Sequence, residues 1–317
     1  MLAAVMEDIS AIDGCECVTT VDFHLMEQLN VAQLNVTGSV IPVQTAQVAE
    51  KLFAELSAAS AAVCLIAPET GNILHTRCDQ VTRLNSRFLG CSIAAIALCT
   101  NKQRLASYLL TRGIPTIPVF ELFNSDCPTA FPCLLKPRDG AGGQMTFRIE
   151  NSADWQAALQ QFRQCTQSLT PICQSYIAGQ SVSVAALVAQ KENTIEIFPV
   201  ASQHFSDDKQ FNYQGGQVPF LVCCIAQIET IVRQSIAAIP GLNGYVGFDF
   251  IIPADQPNSP LLVEINPRLT TSYTGYRQLT HENIAERMLL PERFSQPIVW
   301  INRTVTFDTL GAKQWHA

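Results

Sequence analysis

The residues best suited to chemistry lie late in the chain, in Leu261-Leu262-Val263-Glu264-Ile265-Asn266-Pro267-Arg268 and, upstream, in Gly247-Phe248-Asp249-Phe250. Apolar residues alternate with Glu264 and Asn266 at a spacing of two, so both polar side chains leave one face of a strand. Residues 247–252 read as a second strand, and the turn-rich stretch 253–260 joins the two. A hairpin centred on that loop sets Asp249 opposite Glu264, with side chains about 5 Å apart at the base. Two carboxylates and an amide oxygen on one face repel each other unless a cation sits between them. All three are hard oxygen donors, which suits Mg²⁺ rather than zinc. An isolated E-x-N is more often a solvated strand face. Pro267, Arg268 and the segments below tip the balance toward a metal site.

A magnesium site of this kind usually serves a nucleotide, which needs a place for phosphates. Phe131-Pro132-Cys133-Leu134-Leu135-Lys136-Pro137 is a short apolar strand ending in a lysine, and Arg138-Asp139-Gly140-Ala141-Gly142-Gly143-Gln144 follows it. Gly140, Gly142 and Gly143 free the backbone to approach a phosphate closely, and Lys136 supplies a point charge at the strand end. Most glycine-rich turns are only hairpin turns. This one is not a Walker A loop, because the lysine precedes the glycines and no G-K-[ST] follows.

Two further elements must position these groups. Asn101-Lys102-Gln103-Arg104-Leu105-Ala106-Ser107-Tyr108-Leu109-Leu110 reads as a helix that ends at Gly113-Ile114-Pro115. Residues 171–184 read as a strand, a bend and another strand. In order and spacing, residues 101–290 resemble the ATP-grasp superfamily. The matching parts are a helix opening on Lys102, a strand ending in Lys136 before a glycine-rich loop, a hinge from Gln174 to Gly179 of the form E-x-[FY]-[IL]-x-G, and a downstream D…E-x-N-x-R made of Asp249, Glu264, Asn266 and Arg268. Gln174 stands where the hinge often begins with Glu, which alters any side-chain contact to the adenine amino group.

The resemblance implies an α/β plus α+β fold. A parallel pre-ATP-grasp domain over residues 1–100 would precede a two-lobed ATP-grasp domain, with lobes at 101–173 and 174–317. ATP would lie between the lobes, held by Lys102, Lys136, Gly140, Gly142, Gly143, Gln174, Tyr176 and Ile177. Asp249, Glu264 and Asn266 would hold two Mg²⁺, with Mn²⁺ as an accepted substitute. Arg268 would face the transferring phosphoryl group and the tetrahedral intermediate. The implied reaction is ligation of a small-molecule carboxylate to an amine through an acyl phosphate, with ADP released.

Within the superfamily, Ile66-Ala67-Pro68-Glu69-Thr70-Gly71, Phe211-Asn212-Tyr213-Gln214-Gly215-Gly216-Gln217-Val218-Pro219 and the stretch from Glu264 to Arg277 resemble the tyramine–L-glutamate ligases. That family serves methanofuran- and methylofuran-type cofactor synthesis in one-carbon metabolism. The likeness implies L-glutamate and tyramine as substrates, Arg268 and Arg277 as partners for the amino acid's carboxylates, and Tyr213, Tyr273 and Tyr276 facing the phenol or serving in packing. Two alternatives stay open: a ligase for another amino-acid or peptide pair, and a non-catalytic ATP-binding homologue.

Composition is consistent with this. The chain has 317 residues, 48% of them hydrophobic, enough for a substantial core. Its formal charge is −7 with no Lys/Arg-rich run, which argues against a nucleic-acid surface. The 12 cysteines are scattered, without zinc-ligand spacing, and read as reduced thiols of a cytoplasmic protein. No apolar run approaches the ~20 residues of a membrane span. The five histidines form no evident dyad or cluster. The composition is compatible with a homodimer.

Before residue 101, alternating patterns suggest a parallel α/β unit. Residues 44–60 read as a helix, and 61–67 and 93–98 as strands. Residues 1–12 read as an amphipathic helix followed by a strand at 16–22. A domain of this type opens on a strand before that helix, so the expectation is that this strand is missing or that the native start lies upstream of Met1. At the other end, 297–307 reads as a final strand and 311–317 as a frayed tail.

Overall fold

Helix α1 (Leu2–Ser10) buries Val5 and Met6. It leads into strand β1 (Cys17–Asp22), which pairs in parallel with β2 (Gly38–Val43) from Cys17↔Gly38 to Asp22↔Val43. This computed structural model describes residues 1–26, 36–84, 87–121, 128, 130–165, 169–206, 211–309 and 311–316. Helix α2 (Ala46–Ala59) starts at Thr45, whose side chain accepts from the Val48 N–H. Helices α3 (Ile73–Arg83) and α4 (Ile93–Cys99) complete the N-terminal unit. The expected parallel pairing is present, but two expected strands are not. Residues 61–67 hold only an isolated parallel bridge between Val63 and Phe88. Residues 93–98 lie in α4, capped by the Ser92 hydroxyl accepting from the Ala95 N–H. Ala95, Ile96 and Cys99 share that helix's buried face, a spacing that a short apolar run does not distinguish from a strand.

Helix α5 (Lys102–Leu110) begins at Asn101, whose side chain accepts from the Arg104 N–H, and it ends near Gly113 at φ +69°. A four-stranded antiparallel sheet follows: β3 (Val119–Glu121), β4 (Cys133–Pro137), β5 (Phe147–Ile149) and, beyond helix α6 (Ser152–Cys165), β6 (Pro171–Ser175), in the order β3-β6-β4-β5. Trp155, Leu159 and Phe162 of α6 pack on Cys133, Leu135 and Ile149 to form this lobe's own core.

The next sheet carries the long strand β7 (Gly179–Ala189) and the shorter β8 (Thr194–Ile197) and β9 (Ala201–Ser202). After β10 (His204–Phe205), β11 (Tyr213–Val218) and helix α7 (Ile225–Ala238), it is completed by β12 (Gly244–Pro253) and β13 (Leu261–Asn266). Its order is β13-β12-β7-β8, with β9 on β7. One face of this sheet shares a core with α3, α4, α5 and α7, through residues such as Leu74, Ile96, Leu105, Ile231, Val184 and Phe248. This apolar body therefore spans the N-terminal unit and the sheet of β7, β8, β12 and β13. The short helices α8 (Tyr273–Tyr276) and α9 (Ile284–Leu289) pack with α1 and β11 in a second core.

The chain ends on β14 (Thr304–Asp308) and β15 (Ala312–His316), which join β10 and β11 in a four-stranded sheet. The expected strand over 297–307 begins only at Thr304. Upstream, the Ile298 and Val299 N–H groups go to the Glu196 and Glu282 carboxylates and the Ile301 N–H to the Leu279 carbonyl, so no neighbouring strand takes them. The expected frayed tail is instead β15, whose backbone pairs with β14 from Thr304↔His316 to Phe307↔Ala312; Ala317 lies outside the described residues. The described cysteines are free thiols, and no helix among the described residues is long and apolar enough to cross a membrane.

Helix α1 is tied to the second core by charge as well as packing. Asp8 receives Arg277 Nε at 3.0 Å and Nη2 at 2.6 Å, and the Tyr273 hydroxyl at 2.5 Å. Removing the Asp8 carboxylate leaves Arg277 only the more distant Glu7, 3.3 Å away, and strips the buried Tyr273 hydroxyl of its acceptor. Asp8→Ala is expected to lower unfolding free energy by about 2–4 kcal/mol. Exposed Asp13→Ala should stay within about 0.5 kcal/mol of wild type. Urea melts of the three proteins compare the two, and an equal effect of both substitutions contradicts the anchor.

Candidate active site

The β12–β13 hairpin brings the expected carboxylates together. Asp249 pairs directly with Glu264, and Gly247 with Asn266; a bulge after Asp249 then shifts Phe250 onto Leu262. Asn266 Nδ2 donates to Asp249 Oδ2 at 2.8 Å, and Gln203 Nε2 donates to Oδ1 at 2.9 Å. Burial, and then the facing Glu264 carboxylate, push the Asp249 pKa well above the usual range. Burial acts the same way on Glu264, but the Lys102 and Lys136 charges outweigh it and bring that carboxyl down to about 2. The two groups behave as one coupled pair.

Cations converge on this face from two other elements. Lys102, at the start of α5, places Nζ 3.0 Å from Glu264 Oε2 and donates to the Gly140 carbonyl. Its backbone N–H meets the Arg138 carbonyl at 3.0 Å, which fixes the helix start against the glycine-rich turn. Lys136, the penultimate residue of β4, is almost fully buried. It donates to Gln174 Oε1 at 2.6 Å, and Gln174 Nε2 in turn donates to the Ile117 carbonyl at 3.1 Å. The Gln174 amide is thus committed at both ends. Burial first, and the like charge of Lys102 second, lower the Lys136 pKa to about 8.

Gly140, Gly142 and Gly143 roof the cleft, with Tyr176 and Ile177 along its side. Gly143 sits at φ +73°, and a Cβ there would fall 2.0 Å from the Phe211 carbonyl oxygen, so the turn closes directly onto the opposite lobe. The Tyr213 N–H meets the Gly142 carbonyl at 3.4 Å beside it. Tyr176, Phe211, Phe205 and Tyr213 form a row of rings with successive centroids 6.3, 6.2 and 5.8 Å apart. The Arg148 guanidinium covers Tyr176 at 3.9 Å. The Tyr176 N–H is taken by the Pro132 carbonyl at 3.1 Å, so it is not a free donor for a base.

All the residues singled out from the sequence for nucleotide, metal and phosphoryl contacts line this one cleft, which also takes in Ser181, Ser183, Gln203, Phe205, Thr270, Thr271 and Ser272. Arg268 lies there too, but its Nη2 is 2.7 Å from Glu69 Oε2, a partner on the N-terminal unit. Sequence reasoning missed Glu69 and Gln203 as site residues. Glu69 stood inside the Ile66–Gly71 likeness, whereas Gln203 carries no pattern that marks it. Arg277 does not reach the cleft: it is paired with Asp8 and Glu7. Tyr273 and Tyr276 are fully buried packing residues, the latter donating to the Pro199 carbonyl. Of the three tyrosines, Tyr213 alone lines the cleft.

The ATP-grasp domain family matches residues 94–272, and the pre ATP-grasp 3 domain family matches 15–96. The chain belongs to the ATP-grasp family. Curated relatives include the tyramine–L-glutamate ligases of Methanocaldococcus fervens, 28% identical over 71% of this chain and 63% of that enzyme, and of Methanocaldococcus jannaschii, 27% identical over 71% and 60%. The match thus spans less than two thirds of those enzymes' own length. Among solved structures, the L-amino acid ligase from Bacillus licheniformis shares the fold with a TM-score of 0.73 at 14% identity, covering 95% of this chain and 75% of that one.

The buried lysine gives the ligand-free protein a measurable pH signature. With a folded pKa near 8 against 10.5 for the free side chain, the unfolded chain binds more protons between those values. Lys136 therefore weakens the fold below pH 8, and the penalty fades as pH rises to 10.5. The stability of Lys136→Met relative to wild type is expected to fall by up to about 3 kcal/mol between about pH 7.5 and 10.5. Paired denaturant melts across that range check it, and a pH-independent difference contradicts the buried charge.

Proposed function

We propose that this protein is an ATP- and Mg²⁺-dependent carboxylate–amine ligase that joins the γ-carboxylate of L-glutamate to the amine of tyramine. The observation that carries the ligase reading is the convergence of Asp249, Glu264, Asn266, Lys102, Lys136 and Arg268 in one interlobe cleft. The names of the curated relatives support the substrate pair.

Asp249 and Glu264 face each other and Asn266 stands two residues on, an all-oxygen donor set that fits hard divalent cations such as Mg²⁺, with Mn²⁺ as a substitute. No group of three His, Cys, Asp or Glu side chains among the described residues could hold a metal alone, so phosphate oxygens of ATP would complete the shell. Bound there, two cations would neutralise charge developing on the β- and γ-phosphates.

Lys102 and Lys136 take phosphate oxygens, and the amides of Gly140, Gly142 and Gly143 close over them. The substrate carboxylate oxygen attacks the γ-phosphorus, the bond to the β-phosphate oxygen breaks, and ADP leaves. The ammonium group first releases a proton to solvent, the neutral amine attacks the acyl carbon, and the C–O bond to phosphate breaks as the amide forms, the departing phosphate taking the second nitrogen proton. Arg268 meets the charge on the transferring phosphoryl group and on the tetrahedral oxyanion. The row Phe205, Phe211 and Tyr213 offers the phenol an aromatic wall beside Asp249.

Glu264→Gln at saturating Mg²⁺ should lower turnover by at least ~10²-fold with an unchanged fold, since a ligand to the phosphoryl-transfer site is lost; near-normal turnover contradicts the metal assignment. Phosphate release with glutamate plus tyramine should exceed that with glutamate plus butylamine by about 10- to 100-fold, the worth of an aromatic contact of ~1–3 kcal/mol. Equal rates with every amine, or no dependence on glutamate, remove the substrate pair and leave the ligase class standing.

A further inference from the structure

The loop Glu69-Thr70-Gly71 comes from the N-terminal unit, yet it touches both sides of the nucleotide cleft. Glu69 is 5% exposed. Its Oε2 lies 2.7 Å from Arg268 Nη2 as an ion pair, and among the described residues neither of its carboxylate oxygens, nor Arg268 Nε, has an aligned hydrogen-bond partner. Two residues on, the Gly71 N–H donates to Asp139 Oδ2 at 3.1 Å, immediately before the first glycine of the phosphate turn. The loop is itself tightly wound. Gly71 and Asn72 both stand at φ +63°, the Asn72 N–H returns to the Glu69 carbonyl at 3.1 Å, and the Leu74 N–H returns to the Pro68 carbonyl at 3.0 Å. One rigid turn thus fixes Arg268, just past the metal strand, and Asp139, just before the glycines.

A buried ion pair of this kind contributes little to stability over an apolar pair of the same volume, because desolvation offsets the attraction. What it supplies is a fixed location for the charged head. Arg268 Nη1 donates to the Leu269 carbonyl at 3.0 Å and Nη2 lies 3.5 Å from Asn266 Oδ1. With the Glu69 charge beside Nη2 as well, the guanidinium is held by hydrogen bonds to its own segment and by an ion pair to the N-terminal unit. Without Glu69, a long flexible side chain regains rotamer freedom in the place where orientation matters most.

We propose that Glu69 is a positioning residue that aims the Arg268 guanidinium at the reacting phosphoryl and carboxyl groups, so that the N-terminal domain takes part in the chemistry through this pair. The inference rests on the ligase reading. Its effect belongs to the chemical step and not to nucleotide binding, since Glu69 does not itself line the cleft.

The test is a double-mutant cycle on the full chain, with E69Q, R268M and the two combined, following ADP release with glutamate and tyramine. E69Q should lower kcat by about 10- to 100-fold while the KM for ATP stays within about twofold, the effect of misplacing one oriented group. The combined variant should be no slower than R268M alone. Thermal melts and ATP binding by calorimetry show that each variant is folded. If E69Q does not fold, E69D keeps the charge but withdraws it by one methylene, and it should show the same loss in kcat at unchanged KM. A wild-type kcat in both Glu69 variants overturns the proposal. So does a loss in the combined variant that multiplies the two single losses, since Glu69 would then act independently of Arg268. Should wild type hydrolyse ATP without regard to glutamate or tyramine, the substrate pair fails, and the same cycle read in basal ATP hydrolysis decides the role of Glu69.

Discussion

Asp249 and Glu264 are held face to face on neighbouring strands, in a largely enclosed cleft. Two like charges about 5 Å apart near the surface of a protein repel by about 3 kcal/mol. The backbone register leaves them no means of separating, so the pair is relieved by a proton, which the upward push on the Asp249 pKa favours, or by positive charge brought to it. Lys102 comes from α5, Lys136 from the far lobe and Arg268 from just beyond β13. Each lies on a different element, and each has a partner outside the carboxylate pair: Lys102 the Gly140 carbonyl, Lys136 the Gln174 amide and Arg268 the Glu69 carboxylate. The cleft is the meeting point of these commitments.

The shared core explains how a hairpin can hold that geometry. β12 lies between β7 and β13, paired with β7 along its whole length from Gly244 to Pro253, and its apolar face is buried with α3, α4, α5 and α7. On the opposite face of the same strand Tyr245 is buried in the second core, while Asp249 and Ile251 line the cleft. The segment that follows α5 is bound into this body, with the Leu262 N–H on the Pro115 carbonyl and the Thr116 hydroxyl on the Leu262 carbonyl at 2.7 Å. Lys102 therefore rides on the same rigid body as Glu264, whereas Lys136 belongs to a lobe with its own core. The cleft separates the two, and the Gly143–Phe211 approach brings them together.

The chemical face was legible in the sequence because it follows from local rules. Period-two alternation put Glu264 and Asn266 on one side, and loop symmetry put Asp249 across from Glu264; both hold in the structure. Lys102 at a helix start and Lys136 at a strand end were readable for the same reason. Short apolar runs misled: residues 93–98 form a helix because Ser92 caps them and their buried residues follow a turn, which composition does not encode. Long-range partners were invisible. Nothing local to Arg277 reveals that Asp8 binds it, and nothing near Arg268 reveals Glu69, because both carboxylates belong to the distant N-terminal unit. The tail became a strand only because β14 offered an edge.

The central claim is that the Asp249–Glu264–Asn266 face holds divalent metal beneath a nucleotide whose phosphates draw Lys102 away from Glu264. The most direct measurement is a crystal structure of the protein with Mn²⁺ and a non-hydrolysable ATP analogue, using anomalous scattering to place the metal. The expected result is an anomalous peak between the Asp249 and Glu264 carboxylates, with Lys102 Nζ on a phosphate oxygen. A nucleotide bound elsewhere, or a cleft nucleotide with Lys102 still on Glu264 and no metal on that face, contradicts it.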